Sequence, residues 1–246
     1  RGLGDVYKRQ VDTHTHTNCS NHAFGTIWEN MKCAKAKGLE MVCMTNHAPA
    51  IPDSPHIWHF NTMKELPEYI EGVRLLCGCE ANILNSDGEI DMPVQYLKSM
   101  DVVVASIHPP CYESKDLPDH TETWLNVVKN PYVNIMGHSG DPRFPYDIDA
   151  VVRAAKENNK CIEINNHSYA VRKGSAENCR KIAEKCMEVG CRIVLSSDAH
   201  SPFDVGNVEN GIKMLEEINF PEELVMNTSA DRFIGYLRSV GKDIVL

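Results

Sequence analysis

Residues 191–200 read CRIVLSSDAH, a short apolar run followed directly by polar side chains. The apolar residues of this run are consecutive rather than alternating, which is typical of a parallel strand covered on both faces. Similar runs occur around Val11 and at 41–46, 73–82, 101–108, 132–138 and 160–166. The sequence therefore predicts seven buried strands.

Amphipathic segments fill the gaps between these runs. Thr26 and Glu29 form a capping box that begins a helix, and Gly38 is its predicted end. We predict further helices at 149–159, at 175–190 with Ser175 as the N-cap, at 207–218 and at 229–240. Alternation of strands and helices implies parallel strands joined by right-handed crossovers. The expected fold class is α/β, a TIM-like barrel with one strand fewer, and the alternative is a doubly wound open sheet.

The length and composition of the chain fit one large core. The chain has 246 residues, 42% of them hydrophobic, and shows no obvious linker, so residues 11–246 are predicted to form a single domain. The first ten residues, RGLGDVYKRQ, precede the first apolar run and contain no methionine. We interpret residues 1–10 as a non-native leader.

Charge and cysteine content narrow the classes of function. A net charge of −9 makes the chain a poor general binder of nucleic acids or anionic membranes. No apolar run is long enough to predict a transmembrane helix, and no secretory signal pattern occurs. The ten cysteines include no CxxC motif. We interpret them as free thiols in a reducing compartment and expect a cytoplasmic protein.

Candidate metal ligands follow every predicted strand except the sixth. His14 and His16 follow the first strand, Asp198 and His200 follow the last, and residues i and i+2 of a strand point the same way. The C-terminal ends of barrel strands meet at one mouth, where active sites lie. We therefore expect nine ligands there: His14, His16, His22, His47, Glu80, His108, His138, Asp198 and His200.

The chemistry of these ligands points to divalent metal ions. Imidazole and carboxylate without thiolate suit zinc, with manganese or iron as alternatives, and the histidines suffice without Cys19 or Cys111. A catalytic ion takes about three or four protein ligands, so nine ligands fit three ions that share one carboxylate. Two carboxylates against three divalent ions leave the mouth positive. The expected partner is a small anionic molecule such as a phosphate ester.

Four side chains are candidates for binding the substrate. Arg172 and Lys173 precede a predicted helix, whose N-terminus favours phosphate, although a solvated basic pair is the alternative. Arg143 is a further basic candidate. His56 is expected either to line the substrate entrance or to pack against Trp58.

Asp12 and two other histidines have less defined roles. Asp12 either accepts a hydrogen bond from the ring N–H of a metal-ligating histidine or simply ends a strand. His120 and His167 are expected at the surface or behind the ligands.

The motifs together resemble a known family. The stretches DTHTHT, TNHA, GCEAN, SIHPP, GHSGDP, EINN and SSDAH are similar to those of the PHP (polymerase and histidinol phosphatase) family. SPHIWHF, EANILNSDGEID and RKGSAENCR resemble its small stand-alone branch of YcdX-like trinuclear zinc phosphatases. The resemblance extends from about residue 11 to the end and implies a distorted seven-stranded (β/α)7 barrel.

The resemblance also implies which ligands hold which ion. His14, His16, Glu80 and Asp198 are expected to hold the first ion. Glu80, as a bridge, is expected to hold the second ion with His108 and His138. His22, His47 and His200 are expected to hold the third. Metal-activated water would then hydrolyse a phosphate monoester. Glu80, Asp198 and His200 are the residues we predict to be catalytic.

Three other functions remain open on the sequence alone. Histidinol phosphatase activity is one, because the family includes it, although no residue selects histidinol. A TatD-like nuclease or an amidohydrolase is a second, because both begin with an HxH motif but use fewer ions. A non-catalytic PHP module is a third, and such modules tend to lose ligands. An oligomer is compatible with the family, but no interface pattern is visible.

Overall fold

The structure is a computed structural model that describes residues 11–113 and 115–244, so the predicted leader at 1–10 lies outside the described residues. The strands are β1 (Val11–Thr15), β2 (Met41–Met44), β3 (Tyr69–Ile70), β4 (Val73–Asn82), β5 (Val102–Ser106), β6 (Ile135–Met136), β7 (Cys161–Asn165) and β8 (Ile193–Ser196). The helices are α1 (Ile27–Lys37), α2 (Trp58–Thr62), α3 (Val94–Leu97), α4 (Leu117–Val127), α5 (Ile148–Glu157), α6 (Ser168–Val171), α7 (Ser175–Val189), α8 (Glu209–Glu217) and α9 (Ala230–Ser239).

Seven parallel strands form the sheet in the order β1-β2-β4-β5-β6-β7-β8, and the short β3 pairs antiparallel with β4. The first and last strands approach each other where Thr15 bridges Ala199 and the His16 N–H donates to the Ala199 carbonyl at 2.8 Å. The barrel is therefore nearly closed, and the prediction of a distorted (β/α)7 barrel is confirmed. The distortion includes a two-residue β6 and an irregular register in β1.

Side chains hold the seam between β1 and β8. The Ser197 N–H donates to Oδ1 of Asp12 at 3.1 Å, and the Gly206 N–H donates to Oδ2 at 2.7 Å. The Asn227 amide donates to the carbonyls of Val11 at 2.7 Å and Leu195 at 2.6 Å. These contacts favour the second interpretation of Asp12, as a residue that fixes a strand end rather than a histidine.

The predicted helices agree with the structure apart from one cap. The Thr26 side chain accepts from the Glu29 N–H, and α1 ends at Gly38 with φ 78°, as predicted. The prediction that Ser175 caps α7 is wrong, because Gly174 (φ 95°) holds the N-cap position and Ser175 is the first helical residue. Helix α4, capped by Asp116, was not predicted.

The two ends of the barrel differ, because apolar side chains cover one end and polar side chains occupy the other. One apolar cluster joins residues of the strands, including Met41, Val102 and Cys161, to Phe233 and Leu237 of α9. These strand residues lie at the N-terminal ends of their strands, so α9 packs under that end and leaves the opposite mouth to polar side chains. All ten cysteines are free. Within the described part of the chain, no helix has the length and apolar character needed to cross a membrane.

Candidate metal centre

The nine predicted ligands meet at the mouth formed by the C-terminal ends of the strands. Seven of them are buried, His200 is half-buried and His22 is exposed. In the described residues, three overlapping groups offer ligand atoms within 4.8 Å of one another: His14, His16 and Asp198; His47, Glu80 and His108; and His16, His47 and His200. His22 joins the cluster through its ring, whose centroid lies 4.4 Å from that of His200.

Glu80 lies between two groups of imidazoles and turns a different oxygen to each. Its Oε2 atom is 3.2 Å from Nε2 of His14 and 2.9 Å from Nδ1 of His47. Its Oε1 atom is 3.3 Å from Nε2 of His108 and 3.0 Å from Nε2 of His138. This is the arrangement that a bridging carboxylate requires.

Asp198 completes the first group from the other side of the seam. Its Oδ1 atom is 3.2 Å from Nε2 of His16 and 3.5 Å from Nε2 of His14, while Oδ2 accepts from the Asn165 amide at 3.0 Å. Asp198 (φ 52°) and His138 (φ 26°) both lie in the left-handed region that L-residues seldom adopt. Strained backbone of this kind often occurs at functional sites.

The cluster contains buried polar atoms that form no hydrogen bond of good geometry with the described residues, even where, as between His47 and Glu80, they lie close together. They are Nε2 of His14, both ring nitrogens of His16, Nδ1 of His47, both carboxylate oxygens of Glu80, Oδ1 of Asp198 and Nε2 of His200. A buried polar atom without a partner costs about 1–3 kcal/mol. Because these atoms are imidazole nitrogens and carboxylate oxygens gathered at one place, the residues fit divalent metal ions.

The electrostatics keep the two carboxylates ionised but divide the histidines. Burial disfavours the charged form of His14 and His47, but Glu80 outweighs burial and raises the pKa of both, away from the neutral form that binds metal. Burial disfavours the charged form of Glu80, but the attraction of His14 and His108 outweighs burial and holds the pKa of Glu80 well below its usual range. The pKa of Asp198 is also held well below its usual range, because His14 and His16 outweigh burial. Burial lowers the pKa of His108 to about 4. Ionised carboxylates and neutral imidazoles are the ligand forms.

The sequence analysis missed Glu163, which β7 places behind the cluster. Nδ1 of His14 lies 2.7 Å from Oε1 of Glu163, and the His138 N–H donates to Oε2 at 2.5 Å. The contact with Nδ1 fixes the orientation and tautomer of the His14 ring, and the contact with the backbone N–H holds the chain at His138. The available signal was a carboxylate inside an apolar run, on the strand that had no assigned ligand.

Two further partners of the ligands were also missed. Nδ1 of His108 pairs with Oδ1 of Asn82 at 2.7 Å, and Nδ1 of His22 pairs with the carboxylate of Asp53. Asn82 ends β4 and was visible in the motif GCEAN, whereas Asp53 lies in a loop with no distinguishing pattern. Both contacts leave the Nε2 atoms of these histidines as their ligand atoms.

The predicted substrate residues lie in different places. A cavity of about 420 Å³ opens over the cluster, and Arg172 and His167 line it. Arg172 donates to Oγ of Ser168 at 2.9 Å and lies 3.8 Å from Oδ2 of Asp198. Among the other candidates, none lines this cavity: Arg143 pairs with Asp141, Lys173 is exposed and His56 packs edge-on against Trp58. His120 is buried elsewhere, beside the Pro145 carbonyl.

The barrel and the cluster at its mouth define the class of metal-dependent hydrolases built on a β/α barrel. The particular family follows from comparison with known families. The PHP domain model matches residues 12–167, and the chain belongs to the PHP family.

Relatives of similar length support this result. A protein of Acetivibrio thermocellus named "Probable phosphatase" is 51% identical over 228 residues, which are 93% of this chain and 95% of that protein. A probable phosphatase of Clostridium acetobutylicum is 43% identical and covers 96% of this chain and 97% of its own. The prediction of a metal-dependent phosphatase is thereby confirmed at the level of enzyme class.

Solved structures share the fold at low identity. A crystal structure of histidinol phosphate phosphatase from Lactococcus lactis subsp. lactis, complexed with zinc, L-histidinol and phosphate, has a TM-score of 0.61 with this chain. The two are 16% identical, and the match covers 87% of this chain and 95% of the other. At that identity the likeness concerns the fold.

Proposed function

We propose that the chain hydrolyses phosphate monoesters at a site of three divalent ions, with zinc as the metal. The observation that carries this proposal is the carboxylate of Glu80, which turns one oxygen to His14 and His47 and the other to His108 and His138. One carboxylate between two groups of imidazoles suits two neighbouring ions, and ions about 3.5–4 Å apart are a recurring arrangement in phosphatases.

The ligand groups support a third ion. His14, His16 and Asp198, with Glu80, would hold the first ion, and the other oxygen of Glu80 with His108 and His138 would hold the second. His22, His47 and His200 would hold the third. His16 and His47 each belong to two of the three groups, so the metal content of His16→Ala and His47→Ala tests this allocation.

Bound ions would lower the pKa of a water molecule and offset the charge of the phosphoryl group. The chain itself contributes binding and orientation. Arg172 offers a fixed guanidinium at the wall of the cavity, suited to a phosphate oxygen. Glu163 holds the ring of His14 in one orientation. The proposed substrate is therefore a small phosphate ester, and residues 11–246 are proposed to act as one domain.

The number of ions is tested by measuring the metal content of zinc-loaded protein by mass spectrometry. We expect about three ions per chain, on the allocation of about three or four ligands to each ion. Two ions or fewer per chain would contradict the three-ion site, and full activity of Glu80→Ala on an aryl phosphate would contradict the proposed mechanism. Glu223→Ala is the matched control, because Glu223 is exposed and distant from the cluster.

The type of reaction is tested with substrates of different classes. The loaded enzyme is assayed with aryl phosphate, histidinol phosphate, single-stranded DNA and an amide. Turnover of phosphate monoesters alone is the expected result. Preferential turnover of DNA or amide would favour a nuclease or an amidohydrolase, and a strong preference for histidinol phosphate would identify the substrate.

A further inference from the structure

The cavity over the metal centre has an apolar side as well as a ligand side. Phe24, Ile51 and Val171 line the same cavity as Glu80 and Asp198. Phe24 is 82% exposed and Val171 is 55% exposed. Large apolar side chains left open to water at the rim of a binding cavity mark surface that a ligand can cover.

The backbone around Phe24 is firmly held, so the loop fixes the place from which the Phe24 side chain extends at the rim. The Phe24 N–H donates to the His200 carbonyl at 2.8 Å, and the Asn18 N–H donates to the Gly25 carbonyl at 2.7 Å. Both neighbours of Phe24 are buried, and a Cβ on Gly25 would collide with Pro202. The loop is therefore packed against the barrel while the Phe24 ring projects into the mouth.

A second loop repeats this arrangement on another side of the cavity. Val171 ends α6 and is followed by Arg172, whose guanidinium is fixed by Ser168 and faces Asp198. Each loop thus places an apolar side chain within two positions of a residue assigned to the phosphate end: Phe24 beside His22, and Val171 beside Arg172.

We propose that Phe24, Ile51 and Val171 form a subsite for an aromatic or apolar alcohol portion of the phosphate ester. This inference rests on the proposed phosphatase function and names the substrate class. A single molecule with its phosphate at the ligand side can reach the apolar side, because both belong to one cavity. An alcohol covered with hydroxyl groups would lose water there without gaining hydrogen bonds from these three side chains.

The subsite is tested by the binding of two phosphonates to the zinc-loaded protein, measured by calorimetry. Phenylphosphonate and methylphosphonate share the anionic group, differ in the ring and have a C–P bond in place of the ester bond. We expect the wild type to prefer phenylphosphonate. Phe24→Ala should reduce that preference about tenfold, the scale of an aromatic contact, and leave methylphosphonate binding unchanged. Phe24→Leu should retain part of the preference.

Phe203 provides a matched control. Its side chain is 83% exposed, as much as that of Phe24, but it is not among the residues that line the cavity. Phe203→Ala should therefore bind both phosphonates like the wild type. Two results would overturn the subsite. One is that Phe24→Ala and Phe203→Ala change the preference for phenylphosphonate equally. The other is that Phe24→Ala weakens the binding of both phosphonates by the same factor.

Hydrolysis of phenyl phosphate by the same preparations separates this inference from the proposed function. A wild type that hydrolyses phenyl phosphate but shows no preference for the phenyl ring contradicts the subsite alone. A wild type that binds phenylphosphonate through Phe24 but hydrolyses no phosphate ester contradicts the proposed function and supports the subsite.

Discussion

His14 and Glu163 are 149 residues apart in the chain and form a buried pair, with Nδ1 of His14 lying 2.7 Å from Oε1 of Glu163. The other oxygen of Glu163 accepts from the His138 N–H at 2.5 Å. Burial raises the pKa of Glu163, but His14 outweighs burial and lowers it overall. One ionised carboxylate therefore orients the ring of His14 and fixes the backbone of His138, two proposed ligands that belong to different ions.

Replacing Glu163 with glutamine should weaken metal binding. The substitution keeps the shape of the side chain but removes the charge that orients His14, and such changes typically cost about 10- to 100-fold in metal affinity. The affinity for zinc is measured by competition with a chelating dye. Glu177→Gln on the exposed face of α7 serves as the control. An affinity of Glu163→Gln equal to that of the control would show that Glu163 is not a positioning residue.

Among the four predicted substrate residues, Arg172 is expected to matter most for turnover. It is the one of the four that lines the cavity, and a charge-assisted hydrogen bond of about 1.5–3 kcal/mol corresponds to a loss of roughly tenfold to a hundredfold. Arg172→Ala should lower kcat/KM by that amount with unchanged metal content. Steady-state kinetics of Lys173→Ala, Arg143→Ala and His56→Ala provide the comparison. A comparable loss of kcat/KM in any of these three variants would show that the substituted residue also acts at the phosphate site.

The part of the site that the sequence predicts is the set of ligands that stand at the ends of apolar runs. An imidazole or carboxylate at the end of an apolar run, such as His47 or His108, can be placed at the mouth because barrel strands all end there. The number of strands follows from the same alternation of apolar runs and polar residues. These features are local in sequence and need no knowledge of packing.

The parts that could not be predicted depend on contacts between distant strands. Glu163 lies inside an apolar run on β7, which pairs with β6 and β8 and not with β1. Its contact with His14 follows only from the closure of the barrel, which brings the two side chains together in the interior. Arg172 and Lys173 are adjacent in sequence, but the end of α6 turns one into the cavity and the other to solvent. Side-chain direction in an irregular turn cannot be obtained from composition.

The seam of the barrel should depend strongly on Asn227. Its buried amide donates to the carbonyls of Val11 and Leu195, and its oxygen accepts from the Leu195 N–H at 3.0 Å. Asn227→Ala leaves these backbone groups without partners and should lower the free energy of unfolding by about 2–4 kcal/mol. Urea denaturation gives the value. The exposed Asn210→Ala is the control, and a loss no greater than its own would mean that the seam is held by other contacts.

Lys160 should make stability rise with pH on the alkaline side. Its buried ammonium donates to the carbonyls of Asn130 at 2.8 Å and Val133 at 2.7 Å. Burial, with Lys242 nearby, lowers the pKa of Lys160 from 10.5 to about 8. Between these values the unfolded chain binds more protons than the folded one, and stability rises with pH wherever that holds. The free energy of unfolding of the wild type should therefore increase relative to Lys160→Met as the pH passes from about 8 towards 10.5.

Urea denaturation at several pH values on either side of 8 tests this sign. Below about pH 8 the lysine is protonated in both states, so the difference between wild type and Lys160→Met should be constant there. Lys213→Met, a substitution of an exposed lysine on α8, corrects for the general effect of removing a positive charge. A difference for Lys160→Met that stays constant through the alkaline range, or falls with pH, would mean that the Lys160 ammonium keeps its proton in the folded protein at least as readily as in the unfolded chain.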